Sequence, residues 1–248
     1  MSAAPCAAAA GALLLVLGVG GAVGLAQLSS PGRDLSPAPV AAQAPPALVT
    51  PGDATGRVGG RRAPLVDPSW VTRTASATGV PAPAVRAYGQ AQLSQVGGCA
   101  LGWTTLAGIG WVESQHGTLG GRRLGEDGRS SSTILGPALD GTGDVAAIRS
   151  TRASAVWHGD RRWEHAVGPM QFLPSTWERW ATDGDADGAA DPRDLDDAAA
   201  AAARYLCASG ADLDTGPSWS AAVLSYNHSS AYVEAVRLAA LTYADRAG

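Results

Sequence analysis

Several things are scarce in this chain, and each scarcity closes a functional class. Only 16% of its 248 residues are charged and the formal net charge is -4, so no basic surplus exists to neutralise a phosphate backbone, which argues against nucleic acid as a partner. The four histidines show no paired spacing of the kind that holds zinc. Runs of alternating β-branched residues are few, which argues against a sheet protein. Aromatic residues amount to 6% of the chain, with a single Phe against eight Trp. Of the three cysteines, Cys6 stands apart near the N-terminus, leaving Cys99 and Cys207 as the pair that an oxidising compartment would join.

What is present begins with an uncharged stretch of Ala, Leu, Val and Gly at residues 7–26. At about 1.5 Å per residue it is long enough to cross a hydrocarbon core of roughly 30 Å. No Lys or Arg precedes it, so the usual positive n-region is missing, while small residues follow; cleaved signal peptide and retained membrane anchor both remain open for residues 1–26. Either one implies export. Cys6 precedes the apolar run, an order that disfavours a lipoprotein. Residues 27–64 are rich in Pro, Ala and Gly and cannot bury enough apolar surface to fold alone, so they are expected to form a disordered tether. The folded domain is expected at 65–248.

Within that domain the apolar spacing of three and four residues predicts a mainly α architecture. Expected helices cover 82–96, 103–114, 174–181, 195–208, 218–226 and 231–244, the last capped by Ser229 or Ser230. Between Gly117 and Ala166 the periodicity fails, and Gly, Arg, Asp and Ser dominate. Loops of that length in a domain are usually functional or disordered.

The helix at 103–114 carries an anomaly. Leu106, Ile109, Gly110 and Glu113 follow one another at i, i+3, i+4 and i+7, so a carboxylate continues the apolar stripe and Gly117 is expected to end the helix. Burial disfavours the ionised form, which is the condition a general acid needs near neutral pH. A glutamate at a fraying helix end, paired with an arginine, produces the same pattern. Two further stretches bear on the choice. Residues 168–177 read GPMQFLPSTW, with Gln171 flanked by apolar Met170 and Phe172; residues 225–232 read SYNHSSAY, with Tyr226 and Asn227 at a helix junction. A buried amide needs partners, which sugar hydroxyl and acetamido groups or the backbone can supply.

Taken together, Glu113-Ser114 with Gly117, the GPMQFLPSTW block and Tyr226-Asn227 resemble the three signature motifs of lytic murein transglycosylases, closest to the membrane-bound B type. The resemblance covers roughly residues 98–243. It implies a lysozyme-like helical domain with long loops, and cleavage of the β-1,4 bond between N-acetylmuramic acid and N-acetylglucosamine in peptidoglycan with formation of 1,6-anhydromuramic ends. It further implies Glu113 as the catalytic acid and base, with Ser114, Met170, Gln171, Tyr226 and Asn227 lining the cleft and Tyr226 bonded to the Glu113 carboxyl. Trp111 is a minor departure from the motif. Catalysis of this kind needs no cofactor.

Two alternatives remain. A hydrolytic muramidase would need a second carboxylate, for which Asp140, Asp144 and Glu164 are candidates. An inactive wall-binding protein would need none.

Residues 183–194, DGDADGAADPRD, match the calcium loop pattern, with Asp183, Asp185, Asp187, Asp191 and Asp194 at positions 1, 3, 5, 9 and 12, Gly188 at 6 and the Ala189 carbonyl at 7. Clustered carboxylates repel one another unless a hard cation or solvent compensates, so an EF-hand-like structural calcium site is expected beside the cleft. Aspartate at position 12 replaces the usual glutamate and shortens the reach. A solvated Asp-Gly turn is the alternative.

Overall fold

The computed structural model describes residues 65–95, 99–143, 145–209 and 212–248; the expected signal or anchor, the tether, Cys6 and Asp144 lie outside them. Among the described residues eight helices follow in order: α1 (Pro68–Thr78), α2 (Ala82–Leu93), α3 (Trp103–Ser114), α4 (Ala155–His158), α5 (Pro174–Trp180), α6 (Leu195–Ser209), α7 (Gly216–Tyr226) and α8 (Ser230–Ala247). Among the described residues there is no extended strand, only isolated bridges such as Arg149 with Trp163. No described helix is long and apolar enough to cross a membrane.

Local signals start these helices. Asp67 accepts hydrogen bonds from the Ser69 and Trp70 amides, and Pro68 supplies a preset φ at the first helical position. Thr215 caps α7 and Ser229 caps α8 in the same way.

The middle of the domain is α3, whose residues from Trp103 to Gly110 are all buried, with α8 and α2 packed against it. Two glycines allow that approach. A Cβ on Gly108 would stand 2.7 Å from the Val236 carbonyl oxygen of α8, and one on Gly110 would stand 1.9 Å from the Tyr88 hydroxyl of α2. Both helices therefore reach α3 only because these positions carry no side chain. Trp219 of α7 donates its indole N–H to Thr105 Oγ1 at 3.0 Å, giving a buried polar group its partner inside the core.

α6 closes the other side. Asp196 receives Arg86 of α2 through Nη2 at 2.7 Å and Nε at 3.3 Å. A disulfide joins Cys99, just before α3, to Cys207 of α6, with the Cα atoms 5.5 Å apart across 108 residues of sequence. It fastens the entry of α3 to the helix behind it and removes conformational freedom from the unfolded chain.

α3 covers the expected span 103–114, with Gly117 completing the turn that follows it. The helix stops at Ser114, and Gln115, His116 and Gly117 run through left-handed backbone at φ 52°, 59° and 82°. The His116 amide donates to the Gly110 carbonyl and the Gln115 amide to the Trp111 carbonyl, so backbone capping bonds close the helix before the glycine is reached. From there to α5 the chain is a long irregular excursion with its own small apolar cluster of Leu139, Ala166 and Leu173.

Candidate active site

Glu113 lies in the last turn of α3 and is 5% exposed. Tyr232 of the first turn of α8 faces it, and its chain neighbour Ser114 is fastened to the turn at 168–172. The Tyr232 hydroxyl donates to Glu113 Oε1 at 2.6 Å. Burial raises the Glu113 pKa from 4.5 to about 8, and the Tyr232 bond opposes that rise without cancelling it. Glu113 therefore holds a proton at neutral pH. The Tyr232 hydroxyl is itself pushed well above 10 by burial and by the Glu113 charge, so it stays a donor.

Tyr226 does not bond the Glu113 carboxyl. Its hydroxyl donates to the Met170 carbonyl oxygen at 2.8 Å, and Tyr232, six residues further on, takes the carboxyl instead. The reason is helical geometry: Tyr226 ends α7 facing the 168–172 turn, whereas the cap at Ser229 starts α8 so that Tyr232 projects toward α3. Sequence reasoning missed Tyr232 because nothing local separates two tyrosines that near one junction.

The GPMQF turn is held from both sides through its main chain. Ser114 Oγ donates to the Pro169 carbonyl at 2.6 Å and accepts from the Gly117 amide at 2.8 Å. Gln171 has φ 50°, an uncommon conformation for a residue with a side chain. Its Nε2 donates to the Gly168 carbonyl at 2.8 Å. Gly168, at φ 79°, sits so close to the 192–193 segment that a Cβ would stand 1.8 Å from the Pro192 carbonyl oxygen. Ser114, Met170, Gln171 and Tyr226 are thus brought together in one fully buried knot beside Glu113, and Asn227 is buried with them, its Oδ1 among the buried atoms without a hydrogen-bond partner.

Behind the site, His116 joins Tyr88 and Tyr243. The Tyr88 hydroxyl lies 3.1 Å from Nδ1 and the Tyr243 hydroxyl 2.9 Å from Nε2. Burial lowers the imidazole to about 3, so the ring is neutral. α8 therefore grips the end of α3 twice, through Tyr232 and through Tyr243.

The alternative carboxylates are engaged elsewhere. Asp140 accepts from the Thr142 amide and hydroxyl at 2.9 and 2.6 Å. Glu164 is buried against the Ser154 hydroxyl, with His158 Nε2 at 3.8 Å.

In the aspartate loop, carboxylate oxygens of Asp183, Asp185 and Asp187 lie within 4.8 Å of one another and are exposed. Asp191 and Asp194 do not join them. Asp191 is taken by Arg129 and Arg193, and Asp194 caps the Asp196 amide at 2.9 Å. Strongly donating guanidinium and helix N–H groups compete for those two carboxylates. The Ala189 amide donates to Asp187 Oδ1 at 2.8 Å, and Asp197 ties the loop to α6 by accepting from the Gly184 and Asp191 amides.

Residues 158–223 match the family model described as the transglycosylase SLT domain. This segment of the chain is thus similar to the transglycosylase SLT domain. The matched segment holds the GPMQF turn, the aspartate loop, α5, α6 and most of α7; Glu113 and Tyr232 lie on either side of it. The matched model describes a transglycosylase domain, the activity that the three motifs imply. By sequence the chain finds no match among curated proteins. Similar solved structures include the Escherichia coli lytic transglycosylase Slt35 in complex with bulgecin A, at 16% identity and TM-score 0.43, covering 73% of this chain and 75% of that one. Another is SltB3 from Pseudomonas aeruginosa in complex with NAG-anhNAM-pentapeptide, at 19% identity and TM-score 0.42, covering 68% of this chain and 62% of that one. The likeness to the SLT domain rests on the 158–223 match.

Proposed function

We propose that the chain is a peptidoglycan lytic transglycosylase in which Glu113 serves as both acid and base in cutting the β-1,4 bond between N-acetylmuramic acid and N-acetylglucosamine. The observation that carries the reading is a carboxyl buried in the core, kept protonated at neutral pH and held by one hydroxyl. Tyr232 occupies Oε1, which leaves Oε2 to carry the transferable proton. Glu113 first protonates the glycosidic oxygen as the bond to C1 breaks, while the substrate's own 2-acetamido carbonyl stabilises the positive charge at C1. The ionised Glu113, now supported by the Tyr232 hydroxyl, takes the proton of the muramyl 6-hydroxyl, and that oxygen attacks C1 to give the 1,6-anhydro end. No water is consumed. Ordinary glycosidases place two carboxylates about 5 to 9.5 Å apart; this reaction needs one.

Ser114, Met170, Gln171, Tyr226 and Asn227 form the wall of the proposed cleft. Their hydroxyl and amide bonds run largely to main-chain carbonyls, so they fix the wall's shape. The open Oδ1 of Asn227 is suited to accept from an acetamido N–H of the sugar.

Calcium is proposed for the aspartate loop in a structural role. Asp183, Asp185 and Asp187 offer three converging oxygens, the donor chemistry of a hard cation, with the Ala189 carbonyl at the next ligand position. The ion would hold the loop between α5 and α6 and takes no part in proton transfer. Export is proposed from residues 1–26, through a cleaved signal or a membrane anchor, and the Cys99–Cys207 bridge supports an oxidising compartment.

Digestion of purified peptidoglycan by the full chain, followed by mass spectrometry, tests the reading. Muropeptides ending in 1,6-anhydromuramic acid, missing with Glu113→Gln, are expected; reducing ends in their place would establish hydrolysis and overturn it.

A further inference from the structure

Beside the GPMQF turn runs a groove that the chemistry at Glu113 does not use. Its cavity is about 210 Å³ and its walls are Arg129, Ser130, Ser132, Thr133, Pro169 and Arg193. Its floor, Gly168–Pro169, is the segment to which Ser114 is fastened next to Glu113, and Ser130 Oγ donates to the Gly117 carbonyl at 2.8 Å. The groove is therefore continuous with the site through two hydrogen bonds.

Arg129 comes from the long excursion and Arg193 from the segment just before α6, and the two meet on one carboxylate. Arg129 Nη1 donates to Asp191 Oδ2 at 2.7 Å. Arg193 donates through Nε to Oδ1 and through Nη2 to Oδ2, both at 2.8 Å. Arg129 Nε also stands 3.6 Å from Asp194, and the Arg193 guanidinium lies 5.5 Å from the Trp157 ring centroid. Asp191 and Asp194 are buried beneath, whereas the arginine side chains are 39% and 43% exposed. Charge is thus arranged by depth, with anions below and two fixed cations at the surface. Held by their undersides, the guanidinium groups keep N–H edges for a ligand without the entropy cost of ordering two free side chains. Ser132 and Thr133 add exposed hydroxyl groups on the same rim.

We propose that this groove is an anion-accepting subsite in which Arg129 and Arg193 receive a carboxylate carried by the muramyl unit of the strand. This rests on the peptidoglycan reading above. Two sources share that chemistry, the lactyl group of a muramyl residue without its peptide and the carboxylates of an attached stem peptide. The subsite places the muramyl side of the bond at the 168–172 turn and so sets which way the strand lies across Glu113.

The test measures binding apart from catalysis. The full chain carrying Glu113→Gln is titrated by calorimetry with three tetrasaccharides: N-acetylglucosamine oligomer, muramyl oligomer with stem peptides, and muramyl oligomer stripped of them. A preference of about tenfold for at least one muramyl ligand over the neutral oligomer is expected at low salt, shrinking as salt rises. Arg129→Gln and Arg193→Gln should reduce it. Ser132→Glu, which leaves both arginine pairs with Asp191 intact, should reduce it as well and covers the case in which an arginine variant fails to fold. Loss confined to the peptide-bearing ligand assigns the stem, and loss confined to the stripped one assigns the lactyl group. Unchanged muramyl binding in Ser132→Glu and in the folded arginine variants, or an equal loss for the neutral oligomer, overturns the subsite. Cleavage of peptidoglycan by the chain with its own Glu113 is scored separately, so failure of the reaction and failure of the subsite are told apart.

Discussion

The Tyr232 hydroxyl donates to Glu113 across 119 positions of sequence at 2.6 Å, and it is the one neighbour that pulls the Glu113 pKa down while burial pushes it up. Removing that donor should therefore change the reaction in a recognisable direction. In Tyr232→Phe the ionised glutamate loses its support, the Glu113 pKa rises further, and the basic limb of the kcat profile moves to higher pH. A fall in kcat of about tenfold or more corresponds to one charged hydrogen bond at ~1.5–3 kcal/mol. A pH–rate profile of the variant checks both. An unshifted basic limb would separate Tyr232 from the proton transfer.

Glu113→Gln should abolish cleavage and yet stabilise the fold, by an amount that depends on pH. Between the ordinary value of 4.5 and about 8, the folded chain keeps a proton that the unfolded chain has released. Stability from this group is greatest below 4.5, falls as pH rises through that window, and levels off above it. The neutral amide does not titrate. The melting-temperature gain of Glu113→Gln over the parent should accordingly grow from pH 5 to pH 8, and a constant gain across that range would contradict a buried, raised carboxyl.

Gly108→Ala and Gly110→Ala test the packing that places Glu113. The added methyl meets a backbone carbonyl at 2.7 Å in the first and the Tyr88 hydroxyl at 1.9 Å in the second. Overpacking of this kind costs about 1–3 kcal/mol. Gly108→Ala should be the more damaging despite the longer distance, because main chain in α8 cannot swing away as a tyrosine hydroxyl can. Thermal melts of the two variants give the order directly.

Calcium should raise the melting temperature of the full chain and EDTA should reverse the rise. At a hundredfold excess over the dissociation constant the gain is about 2.7 kcal/mol. Asp185→Asn should weaken the response, with peptidoglycan cleavage at saturating calcium left close to the parent. Equal melting curves with and without the ion would assign the loop to solvent.

How much of this was legible beforehand differs by feature. Glu113 on an apolar stripe, the turn at 168–172 and six of the helices within a few residues of their ends follow from periodicity, caps and punctuation. α1 escaped because Thr, Ser and Val blur its apolar stripe, although Asp67 before Pro68 is a start signal. The groove of Arg129 and Arg193 and the bond from Tyr232 depend on tertiary placement. A sequence shows that a tyrosine stands near a helix start; which core atom it reaches depends on how α8 settles against Gly108.

That settling has a further meaning. Glu113 is translated long before Tyr232, and the helix that completes the carboxyl's surroundings is the last of the eight described. A growing chain that already contains the acid still lacks the hydroxyl that steadies it and the α8 face that excludes water from it. A chain stopped short of α8 therefore carries the carboxyl without the hydroxyl that supports its ionised form.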